Sequence, residues 1–299
     1  MRKYLVLAVI QFLFVSTVFS QTNQLPMPKP PNAKPSERNT TREALQNRNF
    51  FPFKAKRSKD QEKRLKPNQE DLVKYAEFLK HSKTGIFRLV NDFDCESNVY
   101  VIKVDENCRN SIPGGSFYSF REKEYTTAYL ADLRLKDGLI ISDGILSQNI
   151  LVRLGDVPLE TLSVGSEGMR FLTEFVPEAQ SSAATKQYID IVKGIRTENH
   201  EYRKVLPSIL NNTYAIRIIA YRGSVYRNFR GWLFDLLAGD NRVDMTIGFR
   251  IIRKDADGSI TLLWRELERK KAPKLKNDKK KDTNLNPKVF GPGRSMALH

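Results

Sequence analysis

The chain has 299 residues and carries 50 lysine and arginine residues against 34 aspartate and glutamate residues, a formal net charge of +16. None of its three histidines pairs with another at the spacing of zinc ligands, and no Gly-x-Ser-x-Gly turn or Gly-x-x-x-x-Gly-Lys loop occurs. These features argue against zinc enzymes, α/β serine hydrolases and nucleotide-binding enzymes.

The positive charge is concentrated at the two ends of the chain. Residues 21–67 carry twelve basic and four acidic side chains, a net charge of +8, and residues 269–299 carry ten basic and two acidic ones, again +8. Residues 68–268 carry 26 basic and 28 acidic side chains, a net charge of −2. An anionic polymer or envelope surface is therefore expected to bind the tails. The alternative is that the lysines only keep the tails soluble.

Residues 1–20 have the pattern of a secretory signal peptide. Arg2 and Lys3 precede an apolar run dotted with polar residues, and small or neutral residues precede Gln21, where we expect cleavage. A retained membrane anchor is the alternative, although the run is short for a membrane span. The pattern predicts an exported protein, periplasmic or extracellular, with no membrane span after cleavage.

Composition divides the mature chain into three parts. Residues 21–67 are rich in proline, lysine and arginine, and their few apolar residues cannot offset the entropy of ordering the chain. We predict a disordered linker here, a single globular domain over residues 68–272, and a disordered basic tail over residues 273–299.

The predicted domain begins with a helix and continues with strands. Apolar residues recur at helical spacing from Asn68 to Leu79, and residues 86–90 and 99–104 are expected to form strands. In an exported chain an even number of cysteines is normally paired, so we predict a Cys95–Cys108 disulfide. The acidic residues around the two cysteines fit either a cation site or a solvated hairpin tip.

The middle of the chain has the short alternating segments that are typical of a strand meander. The pairs Asp137-Gly138 and Asp143-Gly144 separate three of these segments. Residues 181–194 instead have a helical pattern that ends at a glycine. The strands predicted in this region are 116–120, 129–136, 139–142, 145–154, 168–176 and 202–206.

The densest apolar content lies in three strand-like runs near the end of the domain. Tyr214–Tyr221 is apolar on both faces, which indicates a central strand. Val243–Ile251 and the run from Ile260 alternate around an Asp-Ala-Asp-Gly turn, which predicts an antiparallel hairpin. This turn is similar to half of a calcium-binding loop, but Arg253 and Trp264 stand where carboxylates are required, so we predict a plain turn.

The insertion Gly223–Asn241 between these runs is predicted to be helical, because its apolar residues fall at helical spacing. Trp232, Leu233, Leu236 and Leu237 are then a candidate docking site for a partner or a lipid surface. Packing of the same residues onto the sheet is the alternative.

Together the elements predict an α+β fold with a mainly antiparallel β-sheet of meanders and hairpins and two longer helices, flanked by disordered tails. We assign no catalytic residue, metal site or cofactor. We expect an exported, non-catalytic binding or structural protein of the cell envelope or extracellular space. The alternatives are a hydrolase with a carboxylate pair assembled by the fold, and an anionic-polymer binder that acts through the basic tails.

Overall fold

The computed structural model of the protein describes residues 57–91, 112–229 and 232–278, and describes only the backbone of 227–229 and 232–234. The predicted signal peptide, the strand 99–104 and both cysteines lie outside these residues, as do most of the two predicted tails. The Cys95–Cys108 disulfide and the export of the protein therefore stay predictions.

The described part of the chain forms two antiparallel sheets and one separate antiparallel ribbon, which confirms the predicted mainly antiparallel α+β fold. The seven-stranded sheet has the order β1-β14-β13-β10-β6-β8-β7, the five-stranded sheet has the order β3-β2-β4-β5-β9, and β11 pairs with β12. The strands are β1 (Thr84–Leu89), β2 (Phe117–Ser119), β3 (Glu124–Tyr125), β4 (Leu133–Lys136), β5 (Leu139–Ser142), β6 (Ser147–Gly155), β7 (Ile195–Thr197), β8 (His200–Arg203), β9 (Val205–Pro207), β10 (Thr213–Ala220), β11 (Tyr226–Phe229), β12 (Trp232–Asp235), β13 (Val243–Lys254) and β14 (Ile260–Lys271).

Helices are few and mostly short. The helices of the described residues are α1 (Lys59–Leu65), α2 (Gln69–Lys74), α3 (Ala76–Leu79), α4 (Arg170–Glu174) and α5 (Ser181–Lys193). Helix α5 ends at Gly194, as predicted, where φ is 93° and a glycine is favoured. The helix predicted from Asn68 is broken at Tyr75, where ψ is 16°. The two helices of at least seven residues are therefore α1 and α5.

Helix α1 lies inside the range that we predicted to be a disordered linker, and the prediction is wrong for this segment. Ser58 and Gln61 form a reciprocal capping box at its start. Leu65 is 3% exposed and packs with Val90 and Ile112. An isolated helix of this length is not stable in water, so tertiary contacts order it. Composition averaged over the whole range could not reveal a single docked leucine.

The two sheets pack face to face, and the main hydrophobic core lies between them. A second core lies on the other face of the seven-stranded sheet, where Leu172 of α4 and Ile191 of α5 pack. Every residue of β10 is buried, because this strand is paired on both sides and covered on both faces. The prediction of a central strand is confirmed.

Helix α4 replaces the strand that was predicted over residues 168–176. The buried Arg217 of β10 donates hydrogen bonds of 2.6 Å to the carbonyl oxygens of Leu172 and Phe175. It also forms a bidentate pair with Asp244, at 2.9 and 2.7 Å. The guanidinium thus holds the C-terminal end of the helix against the sheet, through contacts that local periodicity does not encode.

The insertion is a β-ribbon, so the prediction of a helix there is wrong. Asp235 accepts hydrogen bonds from the backbone of Val225, at 2.9 Å, and of Leu237, at 3.0 Å, which closes the base of the ribbon. Leu236 and Leu237 are 3% and 5% exposed in a small core with Tyr129. These two leucines are therefore core residues and provide no docking surface. Trp232 and Leu233 lie on β12, where the structure describes only the backbone.

The folded body also extends past the predicted boundary at Ala272. Pro273 accepts a backbone hydrogen bond of 2.8 Å from Arg222. Asp278 accepts hydrogen bonds from the backbone and hydroxyl of Ser182, at 3.0 and 2.9 Å, at the start of α5. The prediction that everything after Ala272 is a disordered tail is wrong for the first six residues.

We expect a chain that ends at Ala272 to be less stable than one that ends at Asp278, by about 1–2 kcal/mol in the free energy of unfolding. The shorter chain loses the carboxylate at the start of α5 and the hydrogen bonds of residues 273–276. Urea denaturation followed by circular dichroism measures the difference. Equal midpoints for the two chains would show that this segment adds nothing to stability.

Candidate functional site

A cleft of about 830 Å³ lies where α2 and α3 meet the exposed edge of the seven-stranded sheet. Its lining combines aromatic rings with side chains of both charges. The lining residues are Lys74, Tyr75, Glu77, Phe78, His81, Ser82, Lys83, Thr84, Glu160, Arg265 and Glu266.

Two local structures form the walls of the cleft. On one side the chain turns into β1 through Lys83, whose φ is 66°, and the hydroxyl of Thr84 donates a 2.7 Å hydrogen bond to the carbonyl of His81. On the other side Arg265 of β14 donates a 2.8 Å hydrogen bond to the carbonyl of Glu160. One wall is therefore held by a local hydrogen bond, and the other by a hydrogen bond between segments that are distant in sequence.

Glu266 lies at the floor of the cleft with its side chain 3% exposed. Arg269 donates two hydrogen bonds to its carboxylate, at 3.0 and 2.7 Å, and the ammonium of Lys83 lies 3.4 Å away. Burial raises the pKa of this carboxyl, but the hydrogen bonds and charge of Arg269, together with Lys83, hold the pKa below its ordinary value. Glu266 is therefore a fixed negative charge and a poor proton donor.

A β-bulge creates this pair. Residues three apart on a regular strand point to opposite faces, so Glu266 and Arg269 would normally be separated. The pairing with β13 shifts by one residue, because Ile247 faces Glu266 while Thr246 faces Glu268. The extra residue, Leu267, brings the carboxylate and the guanidinium to one side. Sequence reasoning missed this site because alternation alone predicts the opposite arrangement.

Two other carboxylates, those of Glu77 and Glu160, line the cleft. Glu77 is exposed and pairs with Lys80 at 2.6 Å, and Glu160 is also exposed. Among the described residues, Asp132 is a carboxyl whose pKa is raised overall, because of its burial; it is 0% exposed and bound to Arg121, out of reach of a substrate. A general acid in glycoside hydrolysis needs a raised pKa within the substrate cleft.

The acidic pair of the β13–β14 turn has a structural role. Asp255 accepts hydrogen bonds from Arg88 of β1, at 3.0 and 2.7 Å, and Asp257 accepts a 2.9 Å bond from the backbone of Ser259. Within residues 57–91, 112–229 and 232–278, no group of three or more histidine, cysteine, aspartate or glutamate residues could hold a metal ion. In the same residues, no helix is long and apolar enough to cross a membrane.

We expect Glu266→Gln to lower the free energy of unfolding by about 1–3 kcal/mol at pH 7, because the charged hydrogen bonds to Arg269 are lost. Since the pKa of Glu266 lies below its ordinary value of 4.5, its contribution is present above that pH and is lost as the pH falls further. The urea midpoint of Glu266→Gln, measured from pH 7 to pH 3, should therefore approach the midpoint of the wild type as the pH falls.

The matched control for this substitution is Glu268→Gln, on the same strand. Its carboxylate pairs with Lys270 at 2.8 Å, but both side chains are substantially exposed, so we expect a change below about 1 kcal/mol. Equal effects of the two substitutions would contradict a special role of the buried pair.

Comparisons with protein-family models, with curated proteins and with solved structures found no match.

Proposed function

We propose that this is an exported, non-catalytic binding protein whose ligand lies in the cleft between α2–α3 and the β1–β14 edge. The observation that carries the proposal is the buried, ion-paired Glu266 at the cleft floor. A carboxylate held ionised by Arg269 and Lys83 suits a fixed recognition element and does not suit proton transfer. The signal-peptide pattern of residues 1–20 supports export.

The lining indicates the class of ligand. Tyr75 and Phe78 are partly buried rings of the second core that also border the cleft. The ammonium of Lys74 lies 5.3 Å from the centre of the Tyr75 ring. Rings that offer an apolar face, surrounded by donors and acceptors, match a small ligand with one apolar face and several hydroxyl groups. A saccharide has this chemistry.

Titration of the mature chain with a panel of monosaccharides and disaccharides tests this proposal. We expect at least one to bind in the millimolar range or better, and Lys74→Ala to weaken that binding about threefold to tenfold by removing a donor. Lys186→Ala, which changes an exposed lysine of α5 that does not line the cleft, should leave the affinity unchanged. No binding by any saccharide, or equal effects of the two substitutions, would overturn the proposal.

The hydrolase alternative predicts a different result in the same titration. An enzyme would convert the bound saccharide, and Glu160→Gln, which removes an exposed carboxylate of the cleft, would abolish the conversion. A binding protein leaves the saccharide unchanged for hours, with or without this substitution. Product formation by the wild type alone would establish the enzyme and reject the non-catalytic proposal.

A second candidate function, binding of anionic polymers, is favoured by the charge distribution. Residues 21–56 carry seven basic and two acidic side chains, a net charge of +5, and residues 279–299 carry five basic and one acidic, a net charge of +4. Residues 57–278, which include α1 and the end of β14, carry the remaining +5 of the mature chain. The structure thus assigns part of the charge of both predicted tails to the folded body.

We expect the mature chain to bind heparin at low salt with an affinity that falls steeply as salt rises. A chain of residues 57–278 should bind more weakly and with a smaller salt dependence. It lacks residues 21–56 and 279–299, which carry net charges of +5 and +4. Full affinity in the shorter chain would locate the polymer site on the body. Absence of binding by either chain at low salt would reject the polymer hypothesis.

A further inference from the structure

Positive charge is in excess around the cleft that we propose as the binding site. The lining of the cleft and the side chains that pair with it hold five cations and three carboxylates. The cations are Lys74, Lys80, Lys83, Arg265 and Arg269, and the carboxylates are Glu77, Glu160 and Glu266. This excess favours an anionic ligand, because the low-dielectric walls of a cleft concentrate its field.

The carboxylate at the floor of the cleft is already neutralised by the protein. Arg269 lies 2.7 Å from Glu266, and Lys83 lies 3.4 Å from the same carboxylate, so two cations share one anion. The side chain of Lys83 is 61% exposed and can therefore also approach a ligand. Glu160 is exposed to water, which weakens its repulsion of an anion in the cleft.

Arg265 is a cation of the cleft wall that has no carboxylate partner among the described residues. Its Nη1 donates hydrogen bonds to the carbonyl oxygens of Glu160, at 2.8 Å, and Leu159, at 3.4 Å, and both acceptors are uncharged. Its Nε and Nη2 make no hydrogen bond within the part of the chain that the structure describes. A guanidinium that is anchored by one nitrogen and offers the other two fits bidentate binding of a carboxylate.

The guanidinium and the aromatic rings lie on the same side of the seven-stranded sheet. Arg265 is opposite Thr84 in the pairing of β14 with β1, and it follows Leu263 of the second core by two residues. Tyr75 and Phe78 pack against that same core and border the cleft. A pyranose ring that lies on one of these aromatic rings can therefore present a carboxylate to the guanidinium.

We propose that the cleft selects an acidic saccharide, a hexuronic acid unit, whose carboxylate is bound by the guanidinium of Arg265 and approached by the ammonium of Lys83. This inference rests on the proposed saccharide site and narrows its class of ligand. A neutral hexose offers the same apolar face to the aromatic rings, but it lacks the charged group that Arg265 binds.

A comparison of matched ligands tests the charge requirement without any protein variant. A chain of residues 21–299 is titrated by calorimetry with glucuronic acid and glucose, with galacturonic acid and galactose, and with the methyl ester of each acid. At about 0.15 M NaCl the attraction of the basic ends of the chain for a ligand with a single charge is largely screened. We expect at least one acid to bind about tenfold or more tightly than its hexose and its methyl ester.

The variant Arg265→Gln locates the carboxylate. It removes the charge but keeps an amide that can donate to the carbonyl of Glu160. We expect the affinity for the acid to fall at least about tenfold, and the affinity for the hexose to stay within about twofold. Arg250→Gln is the matched control, because Arg250 also donates to a loop carbonyl, that of Val157 at 3.0 Å, but does not line the cleft. It should leave both affinities unchanged.

Equal affinities of the wild type for the acid, its hexose and its methyl ester would overturn this proposal and leave the saccharide site intact. A ratio of acid to hexose affinity that persists in Arg265→Gln would place the carboxylate elsewhere and would also overturn it. Failure of every saccharide to bind, neutral or acidic, would reject the proposed function together with this inference. Thermal melting followed by circular dichroism shows whether the variant is folded, and the wild-type comparison of acid with methyl ester decides if it is not.

Discussion

Substitution of Arg121 by alanine is expected to lower the free energy of unfolding by about 3–5 kcal/mol, because it leaves the buried carboxylate of Asp132 without its ionic partner and leaves Asp240 with Arg242 alone. The side chains of Arg121 and Asp132 are both 0% exposed, and Nε of the arginine lies 2.7 Å from the carboxylate. Arg121 also pairs with Asp240 and donates a 2.8 Å hydrogen bond to the carbonyl of Leu130. Equilibrium unfolding of a chain of residues 21–299 in urea measures the loss.

The control for this prediction is Arg170→Ala. Arg170 pairs with Glu174 at 3.0 Å, but the two side chains are 66% and 65% exposed. Exposed pairs contribute little, so we expect a change below about 1 kcal/mol. A comparably small effect of Arg121→Ala would contradict the view that the buried network stabilises the sandwich.

Acid is expected to relieve part of the defect of Arg121→Ala. Burial raises the pKa of Asp132, and Arg121 opposes that shift. Without the arginine the opposing effect is gone, so the folded variant takes up a proton more readily than the unfolded chain. Its stability should therefore rise as the pH falls through the raised pKa towards the ordinary value of 3.8, and the gap to the wild type should narrow. A gap that widens between pH 8 and pH 5 would show that the sign is wrong.

Substitution of Arg217 by alanine is the second change with a large expected effect. We expect a loss of about 3–5 kcal/mol, since Asp244 would be buried without its bidentate partner. The carbonyl oxygens of Leu172 and Phe175 would lose their donor as well. In the variant, the amide hydrogens of α4 should exchange faster than in the wild type. The increase should be larger in α4 than in β10, because the guanidinium holds the helix end to the sheet.

A double substitution separates the charge effect from the loss of packing. Arg217→Met with Asp244→Leu removes both charges and keeps apolar volume, so it should be less destabilising than Arg217→Ala alone. Helix α4 should still exchange fast in the double variant, because neither new side chain can donate to Leu172 or Phe175. A double variant that is less stable than the single one would contradict the assignment of the loss to an unpaired Asp244.

Strong local patterns in the sequence correctly predicted several elements of the fold. The alternation of Val243–Ile251 and the Asp-Ala-Asp-Gly turn predicted a hairpin, and β13 pairs with β14 across that turn. Asp137-Gly138 predicted a tight turn, and both residues have positive φ, at 49° and 73°, between β4 and β5. Residues 181–194 predicted α5 to within one residue. In each case the segment's own periodicity and turn chemistry agree with its place in the fold.

The same kind of pattern failed in the insertion, for an identifiable reason. Val225, Leu236 and Leu237 fall at helical spacing, yet they are buried together because the ends of a hairpin return to the same place. Spacing along the chain cannot distinguish residues that meet across a helix face from residues that meet at the base of a ribbon. The pairing of β11 with β12 shows that these residues meet at the base of a ribbon.

The sequence by itself determined the local elements whose two faces differ in polarity, and the overall excess of positive charge. Only the tertiary structure decided where the cleft lies and which charges are neutralised. Arg217 meets Asp244, and a bulge at Leu267 turns Glu266 towards Arg269. The physical reason is that periodicity reports how a segment is buried, while the identity of its partner depends on residues far away in the chain.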